Sequence, residues 1–171
     1  IVFHQREVFE NGEHGSIGNG DSFATAGERV AMKLWVKNTS NEAISGLQGE
    51  ISSYQNGVDI IESTVSFDEV QPNGNVSSNE FVLFDLGWNI EPNQSVIFNV
   101  NLTDSQGINH NFPVIVGAYN ARIEVDNIIV DSGGDAIVDP GEIGQLSLRL
   151  HNTSVAGVTD LQAEIMSLND L

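Results

Sequence analysis

Sliding the sequence along itself by 114 positions brings two stretches into register without a gap. Gly20-Asp21 meets Gly134-Asp135, Gly27-Glu28 meets Gly141-Glu142, Leu34 meets Leu148, and Asn38-Thr39-Ser40 meets Asn152-Thr153-Ser154. Leu47-Gln48 meets Leu161-Gln162, Glu50-Ile51 meets Glu164-Ile165, and Ser53 meets Ser167. These pairs make 13 identities over the 34 positions from Gly20 to Ser53, where ordinary composition gives about two or three by chance. At the same shift Ile1-Val2 falls on Ile115-Val116. A period of this kind means that one structural unit is written twice. The expected organisation is a whole module over residues 1–119 and the first part of a second copy over residues 120–171.

Between the anchors the pattern has a period of two. Val30, Met32, Leu34 and Val36 alternate with Ala31, Lys33, Trp35 and Lys37, and Leu146, Leu148 and Leu150 alternate with Gln145, Ser147, Arg149 and His151. One apolar face at this period predicts a half-buried strand, because successive side chains point to opposite faces of a sheet. Further strands are expected over 47–54, 58–67, 80–86, 95–103, 112–119, 123–130 and 158–167. Turn chemistry separates several of them: Gln55-Asn56-Gly57, Gln71-Pro72-Asn73-Gly74, Gly87-Trp88-Asn89, Glu91-Pro92-Asn93 and Ser105-Gln106-Gly107. No segment sustains a helical period. About seven short strands with such turns predict an all-β, immunoglobulin-like β-sandwich.

Charge narrows the partners. Six Lys and Arg stand against 24 Asp and Glu, a formal net charge of −18. Such a chain repels nucleic acid and anionic lipid, and no apolar stretch is long enough to span a membrane. Neither nucleic-acid binding nor membrane insertion is expected. There is no Cys, so the chain is neither a disulfide-stapled domain nor typical of an intracellular protein. No leader segment opens the sequence, and Ile1 begins directly in a strand-like run, as expected of a start inside a longer polypeptide.

Three runs resemble a known bacterial module: Gly18-Asn19-Gly20-Asp21 with Ala26-Gly27-Glu28 and Lys37-Asn38-Thr39-Ser40, residues 131–142 (DSGGDAIVDPGE) with residues 148–153, and residues 66–74 (SFDEVQPNG). They are similar to the CARDB-like (cell-adhesion-related) immunoglobulin-like modules that occur in tandem on secreted bacterial proteins. The resemblance covers most of the first copy and all of the partial second. It implies an extracellular or cell-surface location and a place in a larger polypeptide. Fold likeness by itself assigns no activity.

The candidate metal site is the loop at residues 131–142. Counted from Asp131, it places Asp131, Asp135, Asp139 and Glu142 at positions 1, 5, 9 and 12 of a twelve-residue calcium loop, with the Ile137 carbonyl at position 7. A hard cation needs several oxygens converging at short range, and this spacing can wrap them round Ca2+. Gly133 offers no ligand at position 3, Ala136 replaces the usual Gly at position 6, and strands rather than helices flank the loop. The structural alternative is a Pro-Gly turn entering a strand. In the first copy Asn19, Asp21 and Glu28 survive, whereas Thr25 is a poor ligand and Ile17 is none. Trp35 is the candidate binding residue, pointing outward by alternation where it could stack on a sugar or a neighbouring module, or pack across its own sheet.

Nothing in the sequence assembles into an enzyme. The four histidines are scattered, no Glu–His pair has zinc-ligand spacing, and no serine lies in a nucleophile elbow. Five Asn-X-Ser/Thr sequons are given no role in a chain of bacterial character. The expected function is therefore a non-catalytic structural or adhesion repeat, either a spacer or part of a filament. The alternatives are an accessory C-terminal domain of an exported peptidase or other hydrolase, and a carbohydrate-binding module using Trp35 or Trp88. Expected partners are neighbouring modules of the same or another subunit. An incomplete second copy leaves Leu146, Leu148, Leu150, Leu161 and Ile165 without an opposing sheet, so a further segment of polypeptide or strand complementation by an adjacent chain is expected to cover them.

Overall fold

The computed structural model describes residues 1–91, 93–131, 139, 141, 143–158 and 161–166. It divides into two compact units, Ile1–Asn120 and Ala121–Leu171. The first unit runs through β1 (Val2–Phe9), a 3-10 turn (Glu13–Gly15), β2 (Arg29–Lys37), β3 (Gln48–Ser52), β4 (Val58–Glu62) and β5 (Thr64–Ser66). It continues through β6 (Asn75–Ser77), β7 (Val82–Leu86), β8 (Gln94–Thr103) and β9 (Asn109–Ala118). These strands make two antiparallel sheets, one in the order β1-β2-β7-β4 with β6 also paired to β2, the other in the order β5-β3-β8-β9.

Alternation decides what the sheets bury between them. Val30, Met32, Leu34 and Val36 of β2 are wholly inaccessible, as are Val82 and Phe84 of β7 and Val96 and Phe98 of β8. Ile51, Val100, Leu102, Val114 and Val116 complete the same core. Phe84 and Phe98, from opposite sheets, meet with ring centroids 4.7 Å apart. Each such side chain contributes on the order of 1.5–3 kcal/mol. A core of Val, Ile and Leu with two central Phe rings is what a chain with 7% aromatics can build. The polar alternates Lys33, Trp35 and Lys37 lie on the outer face and are half-buried.

Residues 58–67, expected to form one strand, form two. Strand β4 pairs with β7 in the first sheet, whereas β5 pairs with β3 in the second. The chain crosses between the sheets at Ser63, whose carbonyl accepts the Ile51 N–H at 2.9 Å. The irregularity between Ile60 and Glu62 in the β4–β7 ladder marks where the strand bends away. A continuous apolar run cannot report a change of sheet, because both halves alternate toward the same core.

In the second unit β10 (Ile123–Asp131) and β11 (Gln145–Asn152) form an antiparallel pair. Its ladder repeats that of β1 and β2. Phe3 faces Val36 and Gln5 faces Trp35, with the register shifting across His4. Val125 faces Leu150 and Asn127 faces Arg149, with the same shift across Asp126. Strand β11 thus stands 114 residues after β2, but β10 stands 122 after β1. The first hairpin connection is eight residues longer, the difference of those two offsets. Ile115-Val116, which an ungapped shift sets against Ile1-Val2, lies instead in β9.

A side-chain hook follows both hairpins. Asn38 Nδ2 donates to the Glu42 carbonyl at 2.7 Å, and its Oδ1 accepts from the Ser40 N–H at 2.9 Å and Ser40 Oγ at 2.8 Å. Asn152 Nδ2 donates to the Ala156 carbonyl at 2.7 Å, and its Oδ1 accepts from the Ser154 N–H at 3.0 Å and Ser154 Oγ at 2.7 Å. In the first unit Nδ2 also donates to the Val70 carbonyl at 3.1 Å, and Asn38 is wholly inaccessible.

The strand expected over 158–167 is not formed at residues 161–166, the described part of its centre. Its first-copy counterpart β3 draws its ladder from β5 and β8. Without paired neighbours, an extended segment has no partners for its backbone groups and gains nothing over irregular chain. The apolar face of the second hairpin is correspondingly open: Leu146 is 45% exposed and Leu150 38%, where Met32 and Val36 are at zero.

Candidate functional site

The residues singled out in the first copy lie in the long β1–β2 connection, and two carboxylates organise it. Glu10 follows β1 directly, and its Oε1 and Oε2 accept the N–H groups of Ser22 and Gly20 at 2.6 and 2.7 Å. Glu28 precedes β2, and its Oε1 and Oε2 accept the N–H groups of Asn19 and Thr25 at 3.0 and 2.9 Å. Both residues are buried. Four backbone donors that no ladder can serve are satisfied this way by the residues at the loop's two feet. Charge-assisted bonds of this kind are the stronger class, and leaving the donors unpaired would be costly. Burial raises the Glu28 carboxyl above its ordinary range. The Thr25 and Asn19 N–H groups oppose that shift, and the nearby Glu10 charge adds to it.

Asn19 and Asp21 extend the same scheme. Asn19 Oδ1 accepts the Asp21 N–H at 2.9 Å, Asp21 Oδ1 accepts the Phe23 N–H at 2.9 Å, and Asn19 Nδ2 donates to Asp21 Oδ2 at 3.1 Å. The candidate ligands of this copy are thus brought together, but as successive turns closed on their own backbone. Among the described residues no three acidic or histidine side chains converge as a metal would require. In the second copy Asp131 ends β10 and Asp139 is described, while Asp135, Ile137 and Glu142 lie outside the described residues. The sequence marked Glu28 through its Gly-Glu pairing. It gave no signal for Glu10, which lies ahead of the gap-free match and acts only through the folded loop.

Trp35 lies on the outer face of β2, in register with Gln5 of β1 and Ser77 of β6 and half-buried between them. Lys33, two residues before it, donates to the Asn79 carbonyl at 3.0 Å and sits 4.4 Å above the Phe81 ring, which in turn stacks on His14 at 4.0 Å. The surface beside Trp35 is therefore packed by its own side chains.

Trp88 differs. It lies in the connection from β7 to β8 and is 79% exposed, yet its six-membered ring rests on Gly27. A Cβ on Gly27 would come within 2.4 Å of the ring. The Asn120 amide reaches the carbonyls of Trp88 and Ile90 at 3.2 and 2.8 Å, fixing the connection. Tyr54, in the connection from β3 to β4, is 89% exposed. The two connections share one end of the unit, where the Gly87 N–H donates to the Gly57 carbonyl at 2.8 Å.

At the opposite end Asp104 and His110, which the sequence did not mark as a pair, meet across the β8–β9 turn. Asp104 Oδ2 lies 3.0 Å from His110 Nε2, and Oδ1 accepts the N–H groups of Gln106 and Ile108 at 2.9 and 3.0 Å. The His110 bond, followed by the Ile108 N–H, holds the Asp104 carboxyl below its usual range. His110 Nδ1 lies 3.3 Å from the Ile1 nitrogen. With both ring nitrogens engaged, His110 braces the turn and the start of β1. Among the described residues no helix is long and apolar enough to cross a membrane. The chain matches no known protein-family model and no curated protein.

Proposed function

We propose that this chain is a non-catalytic structural or adhesion segment of a larger extracellular or cell-surface bacterial protein, built from tandem immunoglobulin-like modules. The observation that carries this reading is the recurrence of the Asn-Thr-Ser hook, 114 residues on, and of the hairpin register with its bulge. Those details are set by local backbone geometry, and two unrelated hairpins have no reason to share them. Repeated modules stacked end to end set reach and stiffness, and that is work that needs no active site. The acidic surface supports solubility and a non-nucleic-acid partner.

The open face of β10–β11 supports a strand-donating partner, either a neighbouring module or another subunit. A paired hairpin with half-exposed leucines gains by pairing its free edge. Calcium is proposed for the loop at 131–142 and, with fewer ligands, for Asn19, Asp21 and Glu28 of the first copy, on donor spacing alone. The reading as a whole is tested by labelling intact producing cells with antibody against residues 1–120, before and after protease shaving. Surface signal removed by shaving is expected. Signal that appears only after permeabilisation overturns the reading.

A further inference from the structure

Trp88 and its support form a small rigid platform, and the geometry points to a binding site for neutral polysaccharide at this end of the first unit. The inference stands apart from the spacer reading, which survives if it fails. The chain holds two Trp and two Tyr. One of each, Trp88 and Tyr54, stands almost wholly in water on adjoining connections. Connections at one end of a pair of sheets are where such folds carry recognition, because the strands beneath hold them still.

The indole is preorganised. One side lies on the backbone of Gly27, whose φ of +88° and lack of Cβ admit the ring. The connection beneath it is fixed by the Gly27 N–H to the Leu86 carbonyl at 2.6 Å, the Gly87 N–H to the Gly57 carbonyl at 2.8 Å, and the Asn120 amide. A ring held in this way loses little freedom on binding. The face of a pyranose, lined with weakly positive C–H groups, stacks on an indole face of negative potential.

The surroundings choose among glycans and against a protein. Close to Trp88 in sequence stand Asn89 and Glu91, whose side chains are of the kind that bonds hydroxyls. A protein hot spot instead sits within a ring of contacts that excludes water. Glu91, three residues after Trp88, and the net charge of −18 repel uronic and sulfated polymers. Trp35, half-buried between Gln5 and Ser77, offers no such platform.

The test is electrophoresis of the 171-residue chain through native gels containing hydroxyethyl cellulose, laminarin, glucomannan or galactomannan, with alginate as the anionic comparison. At least one neutral polymer retards the chain. Trp88→Ala weakens that retardation roughly tenfold or more, and Trp35→Phe retains it. In the Trp35→Phe chain, whose emission comes from Trp88 alone, the retarding polymer shields fluorescence from acrylamide, a readout that does not depend on how Trp88→Ala folds. The proposal is overturned by retardation in alginate alone or in no gel, by Trp88→Ala migrating as the parent does, by loss of retardation in Trp35→Phe, or by unchanged quenching with polymer present.

Discussion

Asn38 holds the first hook with every polar atom of its side chain in use, and replacing it tests how much that hook contributes. Its amide donates to two carbonyls and its oxygen accepts from the Ser40 N–H and hydroxyl. In Asn38→Ala the Ser40 hydroxyl keeps its bond to the Glu42 carbonyl at 3.0 Å and the Val70 carbonyl keeps the Ile44 N–H at 3.0 Å, so not every partner is stranded. The Ser40 N–H is left unpaired. At about 1 kcal/mol for each of roughly three net bonds, the loss is about 3 kcal/mol. For a unit of this size that lowers the melting temperature by roughly 10 °C. Urea unfolding followed by tryptophan emission measures it. Asn38→Asp sharpens the argument, since one oxygen still accepts from Ser40 while the other faces the Glu42 and Val70 carbonyls. The introduced carboxyl then has a folded pKa raised above its unfolded value of about 3.9, so the pH-dependent part of its stability deficit is absent below that pH and grows as pH rises toward neutral. A loss below about 1 kcal/mol in Asn38→Ala, or an Asn38→Asp deficit that shrinks with rising pH, would refute the reasoning.

Leu34→Ala empties a wholly inaccessible site and is expected to cost about 3 kcal/mol, whereas Leu148→Ala, at the matching but half-buried position, costs under about 1, both read from urea midpoints. Gly20 and Gly27 both have positive φ, 76° and 88°, but only a Cβ at Gly27 meets an obstacle, the Trp88 ring. Gly20→Ala therefore carries the backbone cost alone, about 1–2 kcal/mol, while Gly27→Ala costs more and shifts Trp88 emission. The Arg29 guanidinium, bonded to Asp85 at 2.7 and 3.0 Å, holds that carboxyl below its ordinary value. Its contribution is present above the unfolded pKa and lost as pH falls, so in Arg29→Gln an NMR titration finds the Asp85 midpoint raised and acid unfolding begins at a similar or higher pH. Saturating calcium is expected to raise the melting temperature and chelator to reverse it, through the loop at 131–142. An unchanged midpoint rules out that site.

The chain's own pattern determined which faces are buried. Val30, Met32, Leu34 and Val36 had to point one way once β2 was extended, because side-chain period is a property of the strand alone. The Asn-Thr-Ser match likewise marked the hook, since its bonds close within a few residues. What depended on distant partners was not legible. The change of sheet at Ser63, the pairing that sets β1 against β10 at an offset of 122, the Asp104–His110 pair and the two bonds that Glu10 gives its loop arise only when separate segments meet. The segment at 161–166 shows the same limit in reverse. It carries the matched residues of β3, but a strand is made by its neighbours' hydrogen bonds as much as by its own alternation, and among the described residues those neighbours are not there. Trp88 is the clearest case: its sequence context is a turn, and only the fold brings Gly27 beneath the ring and leaves its other side to solvent.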